Sequence, residues 1–367
     1  MTYWGLRDYG TAGQIGLEPT PDAFVARMVE VFREVRRVLR KDGTCWVNMG
    51  DAYNSQNGFH RGENYMDGGA PKTIIYPDRS GSGLKPKDLI GMPWRVAFAL
   101  QADGWYLRSD VIWAKPNPMP ESVTDRPTKA HEYVFLLTKS ATYYYDSEAV
   151  KESAASDHPS GNGFKRDARL TYQNANGTAR GNDQQWTDVG GSRNKRSVWT
   201  IATAPFPEAH FATFPPELPE ICIKAGTSQH GCCAECGAPW GRETEHFAGD
   251  AEAVGRPKRT AGMDSKTSTL SLSGNGSKEW AERGGKRVTL GWSPSCSCNA
   301  DVVPATVLDP FAGAGTTLLV SDRLQRNAIG IELNPEYAAM AERRLSKDRG
   351  GLLDLMEAPP LPIGDAA

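Results

Sequence analysis

Apolar residues recur at helical spacing from Phe24 through Met28, Val31, Phe32 and Val35 to Leu39, which predicts a helix over 20–40. Thr20 can cap its start and Pro21 suits its first turn. Asp42-Gly43 ends it, and TCWVNM then reads as a buried strand. Helical spacing returns over 86–103 through Leu89, Ile90, Val96, Phe98 and Leu100. YLRSDVIWA, HEYVFLLT and ATYYYD are strand-like, the first two separated by a Pro-rich loop from Pro116 to Pro127. FPPELPEICIK (214–224) predicts a proline-started helix. The pattern sharpens near the C-terminus. ATVL reads as a strand, DPFAGAGTT as a turn and TLLVSDRLQR as a helix; NAIGIEL and PEYAAMAERRLSK repeat the strand and helix, with Asn334 as cap and Pro335 in the first turn. Strands alternating with helices predict an α/β fold.

Three stretches break this pattern. Residues 54–84 are polar and Gly-rich and read as a loop. Residues 151–197 are rich in Gly, Asn, Ser and Asp and poor in aliphatics. Between 161 and 200 stand seven basic residues, Lys165, Arg166, Arg169, Arg180, Arg193, Lys195 and Arg196, against three acidic ones, with Phe164, Tyr172, Trp186 and Trp199 interleaved. That mixture suits a surface for phosphates and bases, and equally a solvated loop. Residues 231–300 form a polar insert carrying cysteines, and the tail from Gly350, with PPLP in it, is predicted disordered.

Composition narrows the classes. In 367 residues, Lys+Arg total 42 and Asp+Glu 44, which excludes a polycation or an acidic-tail protein but leaves room for a local basic face. No apolar run approaches the roughly 18 residues of a membrane span, and MTYWGLRDYG has no basic-then-apolar layout of a secretory leader. Five of the seven Cys crowd into 232–298, which reads as metal binding in a reducing cytoplasm. Cys233-x2-Cys236 and Cys296-x-Cys298 are two pairs that can each bite a zinc ion, and four thiolates make a closed structural site. Cys232 is an alternative to Cys233, and free thiols on a flexible insert are the rival reading. The 59 residues between the two pairs read as a disordered excursion; Cys45 and Cys222 read as core.

The turn at 309–317 carries the clearest chemistry. A strand running into glycines and then a helix forms a nucleotide-type pocket, in which Gly313 and Gly315 let a ligand approach the backbone. The helix start at Thr316-Thr317 offers free N–H groups. Glu332 ends the next strand, where a carboxylate receives ribose hydroxyls. A tight packing turn beside an unrelated acid is the rival reading.

Asp309-Pro310-Phe311-Ala312-Gly313-Ala314-Gly315-Thr316-Thr317, followed by Gly330-Ile331-Glu332-Leu333, resembles the S-adenosylmethionine site of amino-methylating DNA methyltransferases of the permuted (β) class, whose catalytic half precedes the cofactor half. YWGLRDYG, WVNMGDAY, Trp113 to Pro120 and His131-Glu132-Tyr133 to Asp146 are similar to that family too. FATFPPEL resembles its element ahead of the cofactor strand, which brings Phe214 to the methionine end. The resemblance covers most of 1–150 and 195–347. It implies a Rossmann-like sheet with a Cys-rich, zinc-ribbon-like insert, because relatives carry a similar Cys ribbon at this place. It implies S-adenosylmethionine bound by Asp309, Pro310, Phe311, Gly313, Gly315, Thr316, Thr317, Glu332, Asn334 and Phe214. It also implies methyl transfer to cytosine N4 or adenine N6 of double-stranded DNA in the cytoplasm, in a bacterial or phage modification enzyme with a restriction endonuclease as possible partner.

The organisation expected is a catalytic half over 1–150, a target-recognition region over 151–197, a cofactor half over 198–230 and 301–348, a Cys insert over 231–300 and a tail over 349–367. The family's catalytic tetrad is a polar residue, two prolines and an aromatic that stacks on the flipped base. Tyr3 and Trp4 align with its aromatic and the next residue, while Met1 and Thr2 stand where the prolines belong. The strand leading into the tetrad has no counterpart either, which would expose sheet edges and apolar surface. A start placed too late and an inactive truncated relative both account for this, with the late start favoured. The YWGLRDYG continuation leans to cytosine N4. Asn48 and Asp51 follow a strand at the ligand-binding end of the sheet, Asp51 serving either ligand or turn. Lys115 and Asn117 sit in a loop that faces either DNA or solvent, and His131-Glu132 reads as structural.

Overall fold

Thr20 caps the first helix as the pattern predicts: its extended backbone turns the hydroxyl to accept from Ala23 N at 3.1 Å. Helix α1 (Pro21–Val38) buries Phe24, Met28 and Phe32, and strand β1 (Thr44–Met49) follows. In this computed structural model the described residues are Trp4, 11–54, 83–153, 192–204, 213–247 and 286–357. Helix α2 (Met92–Ala102) is shorter than the 86–103 predicted. Gly91 is left-handed at φ 72°, and Pro93 sits in the first turn, so the backbone becomes helical only at Met92.

Strands β2 (Tyr106–Ala114) and β3 (His131–Thr138) come next. The predicted strand at ATYYYD is absent. There the backbone bonds singly to two places, Tyr144 N to Asp42 O and Asp146 N to Ala225 O. Short strands β4 (Glu152–Ser153) and β5 (Ser192–Arg193) pair with each other, and β6 (Val198–Thr200) follows. Helix α3 (Glu217–Gly226) confirms the proline-started helix, entered through Pro215 and Pro216. Strands β7 (Cys232–Cys233), β8 (Trp240–Phe247) and β9 (Lys286–Pro294) lie in the Cys-bearing stretch, and β10 (Val302–Val303) follows it. The chain closes with β11 (Thr306–Asp309), α4 (Thr316–Arg323), β12 (Asn327–Gly330) and α5 (Pro335–Glu357). Helix α5 runs past Gly350, where the tail was predicted to begin.

The fold is mixed α/β. Its main sheet has the order β1-β3-β2-β6; β3 runs antiparallel to both neighbours and β6 parallel to β2. The C-terminal ends of β1, β2 and β6 therefore share one edge with the start of β3. β11 and β12 form a separate parallel pair, Asp309 opposite Gly330. The single sheet predicted is thus two hydrogen-bonded sets, because no strand among the described residues carries the ladder between them. Strand β12 is exposed, with Ile329 and the following Ile331 and Leu333 each more than half accessible.

The chain divides into two compact units. The first holds Met1–Ala149, Arg196–Gly241 and Pro294–Ala367; the second holds Val150–Lys195 and Arg242–Ser293. The first unit buries α1, α2 and one face of the sheet around Phe24, Met28, Met49, Leu100, Phe135 and Leu137. Trp113, Trp199 and Leu218 fill the other face. Within the second unit, Arg242 donates to Thr289 Oγ1 at 3.0 Å and lies 4.3 Å over the Trp292 ring. Most of the 151–197 region and of the Cys236–Cys296 excursion lies outside the described residues. No described helix is long and apolar enough to cross a membrane.

Candidate cofactor and metal sites

The glycine turn leaves the C-terminal end of β11. Asp309 folds back on it, its Oδ1 accepting from Phe311 N at 3.0 Å. Gly313 and Gly315 are both left-handed, with φ 51° and 70°. At Gly315 a side chain is excluded twice over: the φ is strained for any other residue, and an added Cβ would lie 2.7 Å from Ala341 Cβ. Gly315 offers no side-chain cap to α4, so the N–H groups at Thr316-Thr317 keep the open character of a helix start. Thr316 is buried and accepts from Arg344 Nη1 at 2.9 Å, which also reaches Ala314 O at 3.0 Å.

Glu332 faces this turn. Its Oε2 accepts from Gly313 N at 2.7 Å, and its Oε1 from Asn334 N at 2.9 Å. Both oxygens keep lone pairs for further donors. Asn334 caps α5, its Oδ1 accepting from Glu336 N at 2.9 Å. Asp309, Pro310, Phe311, Gly313, Gly315, Thr316, Thr317, Glu332 and Asn334 are thus gathered at the paired ends of β11 and β12. Phe311 also packs, as Tyr133 does, against the core cluster that holds Met49. Phe214 packs elsewhere, with Trp113 and Trp199.

Of the tetrad-derived pair, Trp4 is buried in the α1–α2 core and donates from Nε1 to Glu18 O at 2.8 Å; Tyr3 lies outside the described residues. The nearby sheet edge carries polar groups whose partners the spacing did not reveal. Buried Asn48 donates from Nδ2 to Glu132 Oε2 at 3.0 Å and to Tyr133 O at 3.1 Å. Lys115 closes the network with an ion pair to Glu132 and sits 4.4 Å over the Trp113 ring. Lys115 is therefore not a solvated loop residue. Asn117 exchanges hydrogen bonds with the Thr203 backbone, which ties two loops together. Asp51 caps α2, accepting from Gly91 N and Met92 N at 3.1 Å each, the turn role of its two readings. Burial pushes the Lys129 amine below the usual lysine range, and its Nζ has no hydrogen-bond acceptor among the described residues.

The cysteines meet as their spacing predicts. The sulfur atoms of Cys233, Cys236, Cys296 and Cys298 all lie within 4.8 Å of one another, close to the spacing of roughly 4 Å that Zn–S bonds of about 2.3 Å impose on a tetrahedron. The Cys236 amide donates toward Cys233, which holds that thiol down at about 7, while the neighbouring Cys236 thiol pushes Cys298 up. β7 pairs with β10, and Cys233 N bonds Ala238 O at 2.9 Å in a tight knuckle. Cys232 stands outside the group, half-buried; Cys45 and Cys222 are raised by burial, Cys45 to about 12.

Comparison with known proteins sets these sites in context. A family model described as DNA methylase matches residues 1–234 and 299–343. The Type II methyltransferase M.SmaI of Serratia marcescens is 38% identical over 347 residues, 95% of this chain and 82% of that protein. M.Cfr9I of Citrobacter freundii is also 38% identical, over 97% of this chain and 82% of its own length. Among solved structures, the PvuII DNA methyltransferase (cytosine-N4-specific) covers 96% of this chain and 84% of its own at 15% identity and a TM-score of 0.45. These relatives give no support to the inactive-relative alternative.

Proposed function

This chain belongs to the DNA methylase family, and from that we propose that it transfers a methyl group from S-adenosylmethionine to an exocyclic amino group of cytosine (N4) or adenine (N6) in DNA. The observation that carries the cofactor site is the Glu332 carboxylate, bonded to Gly313 N across the glycine turn. Bound there, S-adenosylmethionine supplies an electrophilic methyl on a sulfonium. Glu332 accepts from ribose hydroxyls with its remaining lone pairs, and its bonds to Gly313 and Asn334 fix its direction beforehand. Asp309 and the glycines hold the turn backbone open for close approach, and the N–H groups at Thr316-Thr317 would serve as donors to the cofactor's carboxylate.

Tyr3 is the residue assigned to stacking on the flipped base, and the adjoining Trp4 is anchored to Glu18 O. Residues 151–197 are assigned to target recognition, on their basic and aromatic composition. The cysteine knuckle holds one structural zinc through Cys233, Cys236, Cys296 and Cys298; four converging sulfurs with an amide donor on one of them fit that ion. The enzyme works in the cytoplasm beside DNA, and the Type II names of the relatives point to a restriction endonuclease as its counterpart.

The test is methyl transfer from tritium-labelled S-adenosylmethionine to unmethylated DNA, followed by nucleoside mass spectrometry. Label in N4-methylcytosine or N6-methyladenine is expected. Label confined to RNA or protein, or a chain that binds no S-adenosylmethionine, would overturn the proposal.

A further inference from the structure

The cysteine knuckle does not stand alone on the surface of the first unit. Arg40, two residues past α1, donates from Nη1 to the Cys236 carbonyl at 3.1 Å, across 196 residues of sequence. Its Nε and Nη2 fork onto the two Asp42 oxygens at 2.9 and 2.8 Å. That fork fixes the guanidinium plane, which a lysine could not reproduce. The contact is flush: a Cβ added at Gly237 would come 2.3 Å from Arg40 Nη1. Gly237 is itself left-handed, φ 70°, so it is the one residue type that both turns the knuckle and admits the arginine.

The corner that bears Arg40 is a junction. Leu39 O accepts from Lys139 Nζ, Lys41 O from Ser140 Oγ and Asp42 O from Tyr144 N, each at 2.7–2.8 Å. On its other side the knuckle is stitched to β10, the short strand that precedes β11. β7 pairs with β10, Ala234 N bonds Asp301 O at 2.8 Å, and β11 begins three residues beyond Val303. The chain segment that carries the first Cys pair therefore touches both the α1–β1 corner and the approach to β11.

We propose that Arg40 is the latch through which the metal-loaded cysteine knuckle clasps the α1–β1 corner to the cofactor strand. This rests on the zinc reading above. A tetrathiolate centre around a divalent ion carries two net negative charges. The positive edge of the Arg40–Asp42 pair meets it through the Cys236 carbonyl, as partners outside the ligand set orient metal ligands and tune their affinity. Arg40 is a positioning residue, since it touches the ligand backbone and not the metal.

The full-length chain tests this without any activity readout. Zinc content is measured by mass spectrometry and zinc release by a chromogenic chelator, for the wild type, Arg40→Met, Arg40→Lys and Asp42→Asn, each checked by circular dichroism. One zinc per chain is expected in the wild type, with release about 10-fold or more faster in Arg40→Met. Arg40→Lys should behave nearly like Arg40→Met, and Asp42→Asn, which keeps the guanidinium but loosens its fork, should fall between. Hydrogen exchange should rise over 39–44 when the wild-type zinc is chelated, and be insensitive to chelation in Arg40→Met. A wild type that holds one zinc, beside variants that release it at the wild-type rate, would overturn the latch and leave the zinc site standing. A wild type that binds no zinc would overturn both. Should Arg40→Met fail to fold, release from Asp42→Asn at the wild-type rate would overturn the latch equally.

Discussion

Replacing Glu332 isolates the cofactor claim. Both carboxylate oxygens accept backbone N–H bonds, from Gly313 at 2.7 Å and Asn334 at 2.9 Å. Glu332→Gln keeps the shape but turns an NH2 donor toward one of those two N–H groups, because neither oxygen position is free of a donor. Hydrogen bonds to a charged partner contribute about 1.5–3 kcal/mol each. The carboxylate is only half-buried, so the low end of that range applies. Losing two ribose bonds in Glu332→Ala then weakens S-adenosylmethionine by about 3 kcal/mol, roughly 100-fold in Kd. Glu332→Gln keeps one good acceptor and loses about 10-fold. Calorimetric titration of the wild type and both variants measures this, with thermal melts to show that the fold persists. Affinity in Glu332→Ala within about twofold of the wild type would refute the assignment of the ribose to Glu332.

Gly315→Ala combines a strained left-handed φ of 70° with a Cβ 2.7 Å from Ala341 Cβ. The strain alone costs about 1–2 kcal/mol, so Tm should fall by several degrees and cofactor binding with it; an unchanged melt would show that the turn is not held as described. Burial pushes the Cys45 thiol up to about 12, against about 8.5 for an unfolded cysteine. The folded state favours the protonated thiol, so this stability is complete below pH 8.5 and is lost as pH rises toward 12. Urea midpoints should fall from pH 8 to pH 10 less steeply in Cys45→Val than in the wild type, and identical slopes would contradict the burial. Lys129→Met removes a buried ammonium that has no hydrogen-bond acceptor among the described residues. Its Tm should hold or rise, by the equivalent of about 1 kcal/mol; a fall of several degrees would mean that its attraction to Asp51 and Glu132 outweighs desolvation.

Much of the scaffold was legible along the chain. The α1 pattern with its Thr20 cap, the strands TCWVNM, YLRSDVIWA and HEYVFLLT, the 309–317 turn and each Cys pair taken singly follow from residues a few positions apart, while the meeting of the two Cys pairs and of Glu332 with Gly313 is completed by the fold. Periodicity, capping and glycine at a positive φ act over one or two turns of backbone, so the local sequence is enough to read them. The helix predicted over 86–103 begins only at Met92 because the signal that starts it, Asp51 accepting from Gly91 and Met92, arrives from 40 residues upstream. ATYYYD has strand composition but no strand partner, its amides going to Asp42 and Ala225 instead. Neither the Asn48–Glu132–Lys115 network nor the seat of Arg40 on Cys236 has a sequence signature, since the partners stand 17 to 196 residues apart. Such contacts exist only once β1 lies beside β3 and the knuckle folds onto the α1–β1 corner. A side chain's chemistry is fixed by its identity, but its partner is fixed by the path of the backbone between them, and that path is set by packing of the whole unit.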